Sequence, residues 1–148
     1  MNLKKMNRFF STSMGLGNLS RAPGTLAAFG AAVLYFFFPF LAHPLLLLVL
    51  FISGTISCEI EGRNSGIKDD STLVLDEILG MWMTYLFLDG LSLSMIVLGF
   101  FLFRLFDIWK PLIIGSSQRL PGGLGVMIDD VLAAIPSNLI LRAVLRVI

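Results

Sequence analysis

The stretch APGTLAAFGAAVLYFFFPFLAHPLLLLVLFISGTISC, residues 22–58, carries no Asp, Glu, Lys or Arg, and only His43 could gain a charge near neutral pH. As one helix it would extend roughly 55 Å, nearly twice the ~30 Å hydrocarbon core of a bilayer. Pro39 and Pro44 flank His43 near its middle, where an unbroken helix cannot continue. The stretch therefore reads as a helical hairpin that crosses a membrane twice.

Composition agrees with that reading. Hydrophobic residues make up 56% of the 148 and charged residues 14%, whereas a soluble domain carries about 25% charged residues. The mean hydropathy is +0.86. The length suits a single domain, residues 1–148. The net charge is +1, with no basic stripe interleaved with aromatics, so no nucleic-acid partner is expected. The single cysteine, Cys58, excludes an internal disulfide. Lys4, Lys5 and Arg8 precede FFSTSMGLGNLSRAPG, which has neither a sustained apolar core nor a small-residue cleavage site, so no cleavable signal is expected.

Outward from the hairpin, the pattern predicts five helices. The first runs over residues 25–38, with Thr25 able to cap it, and the second over 44–63, with Pro44 at its first position. After the polar loop RNSGIKDDST, a third covers 73–88. An Asp89-Gly90 turn leads to a fourth, 91–109, stopped by Lys110-Pro111. The segment PLIIGSSQRLPGGLG then leads to a fifth, 126–147, with a kink expected at Pro136. The expected fold is all-α: a small polytopic membrane bundle, four helices spanning and the fifth spanning or interfacial. Phe36, Phe37, Phe38, Trp82 and Trp109 read as lipid-facing or interfacial belt residues, and His43 and Cys58 as structural.

Lys4, Lys5, Arg8 and Arg21 precede the first helix, Arg63 and Lys68 lie between the second and third, and Lys110 and Arg119 between the fourth and fifth. The turns at residues 40–43 and 89–90 have none. The positive-inside rule places the basic connections in the cytoplasm. Arg142 and Arg146 disagree with that assignment if the fifth helix spans.

On this topology Asp76 and Glu77 open the third helix, Arg104 and Asp107 close the fourth, and Asp129 and Asp130 open the fifth, all at one membrane depth. A charge costs ~2.5–3.5 kcal/mol at the bilayer centre, so five scattered carboxylates would be a heavy load and a shared site offsets it. Gly80 and Thr84 follow Glu77 at helical spacing; Ala133, Ala134, Ser137 and Asn138 follow Asp130. Such small and polar stripes turn the carboxylates into the bundle. A helix dipole explains one helix-opening carboxylate, not three clusters.

Clustered carboxylates repel unless a proton or cation intervenes. Oxygen-only ligands favour Mg²⁺, Mn²⁺ or Ca²⁺ over zinc. Arg21, Arg104 and Lys110 could hold a phosphate, with the backbone N–H groups at Thr25. The chemistry that fits is metal-assisted phosphoryl transfer or phosphate-ester hydrolysis at the membrane surface. Other phosphate chemistries fail on their residues: Asn64 stands where a Cys-x5-Arg loop from Cys58 needs arginine, His43 is the one histidine, and neither Asp-x-Asp, D-x2-D-G nor a P-loop occurs. The rival reading is a small transporter or proton relay built on buried carboxylates, which would spread them through the membrane depth. A non-enzymatic assembly subunit would need neither acidic pair.

The blocks RAPGT (Arg21–Thr25), LDEILGMW (Leu75–Trp82), FRLFDIWKP (Phe103–Pro111) and GGLGVMIDDVLAA (Gly122–Ala134) resemble the phosphatidylglycerophosphatase A family, collinearly over roughly residues 14–140. The resemblance implies a Mg²⁺-dependent bacterial enzyme of the cytoplasmic (inner) membrane. It would hydrolyse the terminal phosphate of phosphatidylglycerol phosphate, its lipid substrate, with the site on the cytoplasmic side. Carried over block by block, it assigns function to Asp76, Glu77, Arg104, Asp107, Lys110, Asp129 and Asp130. Glu77, Asp107 and Asp130 are then the first metal ligands, with Asp76 and Asp129 sharing ligation or activating the attacking water. Arg104 and Lys110 would bind phosphate oxygens.

Overall fold

In the computed structural model, residues 3–15, 17, 21–66, 70, 72–109, 120 and 122–147 are described. Among them are six α-helices, one 3-10 turn and no strand: α1 (Leu3–Ser11), α2 (Pro23–Phe37), the 3-10 turn Pro39–Ala42, α3 (Pro44–Ser65), α4 (Leu75–Thr84), α5 (Leu93–Trp109) and α6 (Gly122–Val147).

The hairpin forms as its prolines dictate. Pro23 and Pro44 each sit at the start of a helix, where the missing N–H has no intrahelical acceptor to lose. The His43 side chain accepts a hydrogen bond from Leu45 N at 3.3 Å and caps α3. Thr25 is not a cap; Ala22 occupies that position without a side-chain bond. Two helices, α3 and α6, are long and apolar enough to cross a membrane, and α2 is a shorter apolar helix.

Helix α6 is the axis of the bundle, packing against α3, α4 and α5, while α2 covers α4 and α5. Small residues make this possible. A Cβ on Gly80 would stand 3.0 Å from the Asp130 Cβ, and one on Gly123 would strike the α3 backbone. Leu79, Met81, Phe103, Met127, Ala133 and Leu141 are fully buried around the axis. Burying a large apolar side chain contributes about 1.5–3 kcal/mol against water. In a bilayer the reference is lipid, so fit rather than hydrophobicity holds the helices together.

Three elements differ from the sequence expectation. The third helix was expected over 73–88, but α4 ends at Thr84, about 15 Å long and half a span. Its freed carbonyls are taken up by α6: Asn138 Nδ2 donates to Thr84 O at 2.8 Å and Leu86 O at 3.0 Å, and Arg142 Nη2 donates to Leu86 O at 2.7 Å. The fifth helix begins at Gly122, not 126, because Glu59 Oε2 accepts the Gly123 N–H at 2.8 Å and supplies the cap. It continues through Pro136. Helix α1 was not expected. It docks on α3 through Asn7, whose Nδ2 donates to Glu61 Oε1 at 2.8 Å and which accepts from Ser57 Oγ at 2.9 Å.

Trp82 is likewise not a belt residue. It is partly buried, and its indole N–H donates to Ala31 O at 2.9 Å, joining α4 to α2.

Candidate functional site

The N-termini of α2 and α4, the C-terminus of α5 and the N-terminal half of α6 meet at one end of the bundle. Three contacts establish this. A Cβ on Gly24 would strike the Glu77 carboxylate, Arg104 Nη2 donates to Thr25 Oγ1 at 3.0 Å, and Gly80 abuts Asp130.

Asp76 and Glu77 occupy the first turn of α4, where exposed N–H groups favour negative charge. Asp130 faces them from α6. One carboxylate oxygen from each lies within 4.8 Å of the other two. The two Asp residues of α6 are not at its opening, as the sequence suggested, but two turns inside it. Both are nonetheless buried, Asp129 at 4% and Asp130 at 3% exposure.

Beside the trio, Arg104 pairs with Asp107 one turn along α5. Asp107 is 8% exposed and lies within electrostatic reach of Glu77. Arg104 thus links α5 to the start of α2 while its own Nε, though buried, has no hydrogen-bond partner among the described residues.

Of the five carboxylates expected as ligands, the structure brings Asp76, Glu77 and Asp130 together. Asp107 stands next to them, committed to Arg104, and Asp129 is buried on the same helix but outside the trio. Arg21 is exposed just before α2. Lys110 lies outside the described residues. The sequence pattern did not mark Gly24, whose missing side chain makes room for Glu77, or Glu59, which fixes the start of α6. Gly24 carried a signal in its place between Pro23 and Thr25. Glu59 carried none, since its partner is a backbone N–H far along the chain.

The donor set suits a hard cation. Asp76 Oδ1 and Glu77 Oε2 are buried without hydrogen-bond partners among the described residues. A buried carboxylate oxygen left so costs free energy unless something charged or protic fills the gap. An all-oxygen cluster without His or Cys fits Mg²⁺ better than zinc. Next to it, a guanidinium with an unused donor is suited to an anionic oxygen.

A family model described as Phosphatidylglycerophosphatase A matches residues 9–145. Phosphatidylglycerophosphatase A of Escherichia coli (strain K12) is 34% identical over 141 residues, covering 91% of this chain and 82% of the relative. The protein of the same name from Haemophilus influenzae is 32% identical over 139 residues, covering 90% and 85%. A Bacteroides thetaiotaomicron protein named "Putative phosphatidylinositol-3-phosphatase" is 38% identical over 144 residues, covering 91% and 90%. No solved structure matches the chain.

Proposed function

The chain belongs to the phosphatidylglycerophosphatase A family and is a phosphatase, and from that premise we propose that it hydrolyses the terminal phosphate of phosphatidylglycerol phosphate, releasing phosphatidylglycerol and inorganic phosphate. The observation that carries the reaction to particular residues is the meeting of Asp76, Glu77 and Asp130 beside the Arg104–Asp107 pair.

Asp76, Glu77 and Asp130 would hold Mg²⁺, with Asp129 and Asp107 next in line. Bound there, the ion supplies charge neutralisation for the phosphate and a lowered pKa for an attacking water. The chain's own part is positional. Arg104, steered by Asp107 and Thr25, presents its guanidinium to a phosphate oxygen and balances the charge that builds in the transition state. Lys110 and Arg21 would add positive charge at the rim. A carboxylate of the trio not occupied in ligation accepts the water's proton. Water attacks the phosphorus, the bond from phosphorus to the glycerol oxygen breaks, and the proton taken up by the carboxylate passes to that oxygen as it leaves.

The same reading sets the membrane topology. α2, α3, α4 with its following turns, α5 and α6 cross the bilayer in succession, a multi-pass protein of the bacterial inner membrane with its site on the cytoplasmic side. Lys4, Lys5, Arg8, Arg21 and Arg63 sit at the site's end, as the positive-inside rule requires. The substrate's acyl chains fix its phosphate at that level. A carboxylate relay would need acidic groups along the whole path; here the buried carboxylates gather at one end of the bundle, which disfavours the transporter alternative.

Phosphate release by purified protein in detergent, with Mg²⁺ and then with excess EDTA, tests the proposal. Turnover should vanish with EDTA and return with Mg²⁺. Asp130→Asn and Glu77→Gln should each abolish it while expression and insertion persist. Activity surviving in both variants, or in EDTA, would overturn the metal-site assignment. Phosphatidylinositol 3-phosphate should run alongside, because the Bacteroides relative's name raises a different headgroup. Faster turnover of that lipid would reassign the substrate.

A further inference from the structure

Between α2 and α5, on the bundle's outer face, lies a cavity of about 320 Å³ whose lining is wholly apolar; Phe29, Val33 and Phe36 form one wall and Val97, Phe100 and Phe101 the other. Its position matters more than its size. Phe29 stands one helical turn from Thr25, and Phe100 one turn from Arg104. Thr25 and Arg104 are hydrogen-bonded, and Phe29 and Phe100 meet edge to face at 6.0 Å. The polar pair and the aromatic pair are therefore consecutive rungs of one α2–α5 seam.

Phe101 also lines a second, open hollow of about 820 Å³ with Arg104, Leu105, Ile108 and Trp109. The two hollows adjoin at Phe101, and the second has Arg104 of the site in its wall. The lining from Leu93 to Phe101 extends about 12 Å along α5, room for a length of hydrocarbon chain, and being wholly apolar it offers a headgroup no partner.

We infer that the α2–α5 groove is the acyl-chain subsite for the lipid phosphate, holding one chain of the substrate while its phosphate lies at Arg104. This rests on the lipid-phosphatase reading and adds to it: the enzyme grips the chain as well as the headgroup, so chain length enters specificity. A groove contact is present in both ground and transition states. It should therefore act on KM, not on kcat.

Val97→Trp and Val33→Trp fill the groove from opposite walls. A chain displaced from it passes into detergent, itself apolar, so the loss is of packing contacts and KM should rise about two- to fivefold. That rise is expected for dioleoyl phosphatidylglycerol phosphate, with kcat nearly unchanged, and not for the dihexanoyl lipid in the same detergent. Equal effects on both lipids, or none, would overturn the groove.

A second measurement needs no turnover. In Asp130→Asn, a phosphatidylglycerol phosphate with a diazirine in one acyl chain should label the α2–α5 lining. Unlabelled phosphatidylglycerol phosphate should suppress that labelling, and phosphatidylcholine should not. Labelling spread evenly onto the exposed α3 face at Leu48 and Ile52, or insensitive to competitor, would identify ordinary surrounding lipid and overturn the inference. If the wild-type protein releases phosphate from neither lipid, the phosphatase reading fails on its own account, and the competition experiment alone decides the groove.

Discussion

Gly24 and Arg104 show how little room the site leaves for a neutral change. A methyl on Gly24 would collide with the Glu77 carboxylate, the flexible end of a side chain, so Gly24→Ala should fold and instead displace one of the three converging oxygens. The expected result is a several-fold rise in the Mg²⁺ concentration giving half-maximal phosphate release. Gly30→Ala, on the same helix with open space around it, should leave that concentration unchanged. Arg104→Gln removes the donor proposed for the phosphate and should lower kcat by about 10²–10³. Asp107→Asn keeps the arginine but loosens its aim, so a smaller loss of about 10–100-fold is expected. If the two variants lost activity equally, Asp107 would be acting on substrate or metal directly and not through Arg104.

At the scale of elements, α4 is the unusual piece. Its backbone stops helical hydrogen bonding at Thr84, and Phe87 takes a left-handed φ of 58°, while the chain is still apolar. Irregular backbone at membrane depth persists only where protein supplies the missing partners. Asn138 and Arg142 supply them, and the Arg142 Nε–Asn138 Oδ1 bond at 2.7 Å ties the two together. Asn138→Leu or Arg142→Leu should each destabilise the folded protein by about 1–3 kcal/mol. The double variant should lose less than the sum, because the side chains share one network. Thermal unfolding in detergent measures both, and strict additivity would show that the two cap independently. This is also where the sequence was least legible. Residues 85–88, YLFL, continue the apolar pattern of α4, and the polar groups that allow it to end lie some fifty positions downstream. By contrast α2, α3 and α5 were readable from hydropathy and prolines within a residue or two at most ends. Asp76, Glu77 and Asp130 were readable because a carboxylate within an apolar helix is costly enough to point to a site. The amphipathic α1, nine residues long with three cationic side chains, was too short to register as a periodic pattern. Its hold on α3 comes from Asn7 and Glu61, which no local spacing links.

For the whole molecule, the question is how a bundle with its basic residues gathered at one end can also carry Arg142 and Arg146 at the other. Arg142 is answered by its bonds: half-buried, it caps the end of α4 through Leu86 O and is tied to Asn138. Arg146 is exposed in the last turn of α6, a favourable place for a cation beside the helix's negative end. One such residue does not outweigh the cationic cluster at the opposite face. The topology proposed from this can be tested by replacing Cys58 with serine and introducing single cysteines at Lys5, Asn64, Phe40, Asp89 and Arg146. A membrane-impermeant maleimide added to intact cells should label positions 40, 89 and 146 and spare 5 and 64, with all five labelled after permeabilisation. Labelling of 40 and 89 without 146 would mean that α6, long enough to cross at 26 residues, does not do so. Its Asp130 would then have to reach Asp76 and Glu77 from a helix lying along the cytoplasmic surface. Position 146 is therefore the one whose labelling decides whether α6 crosses.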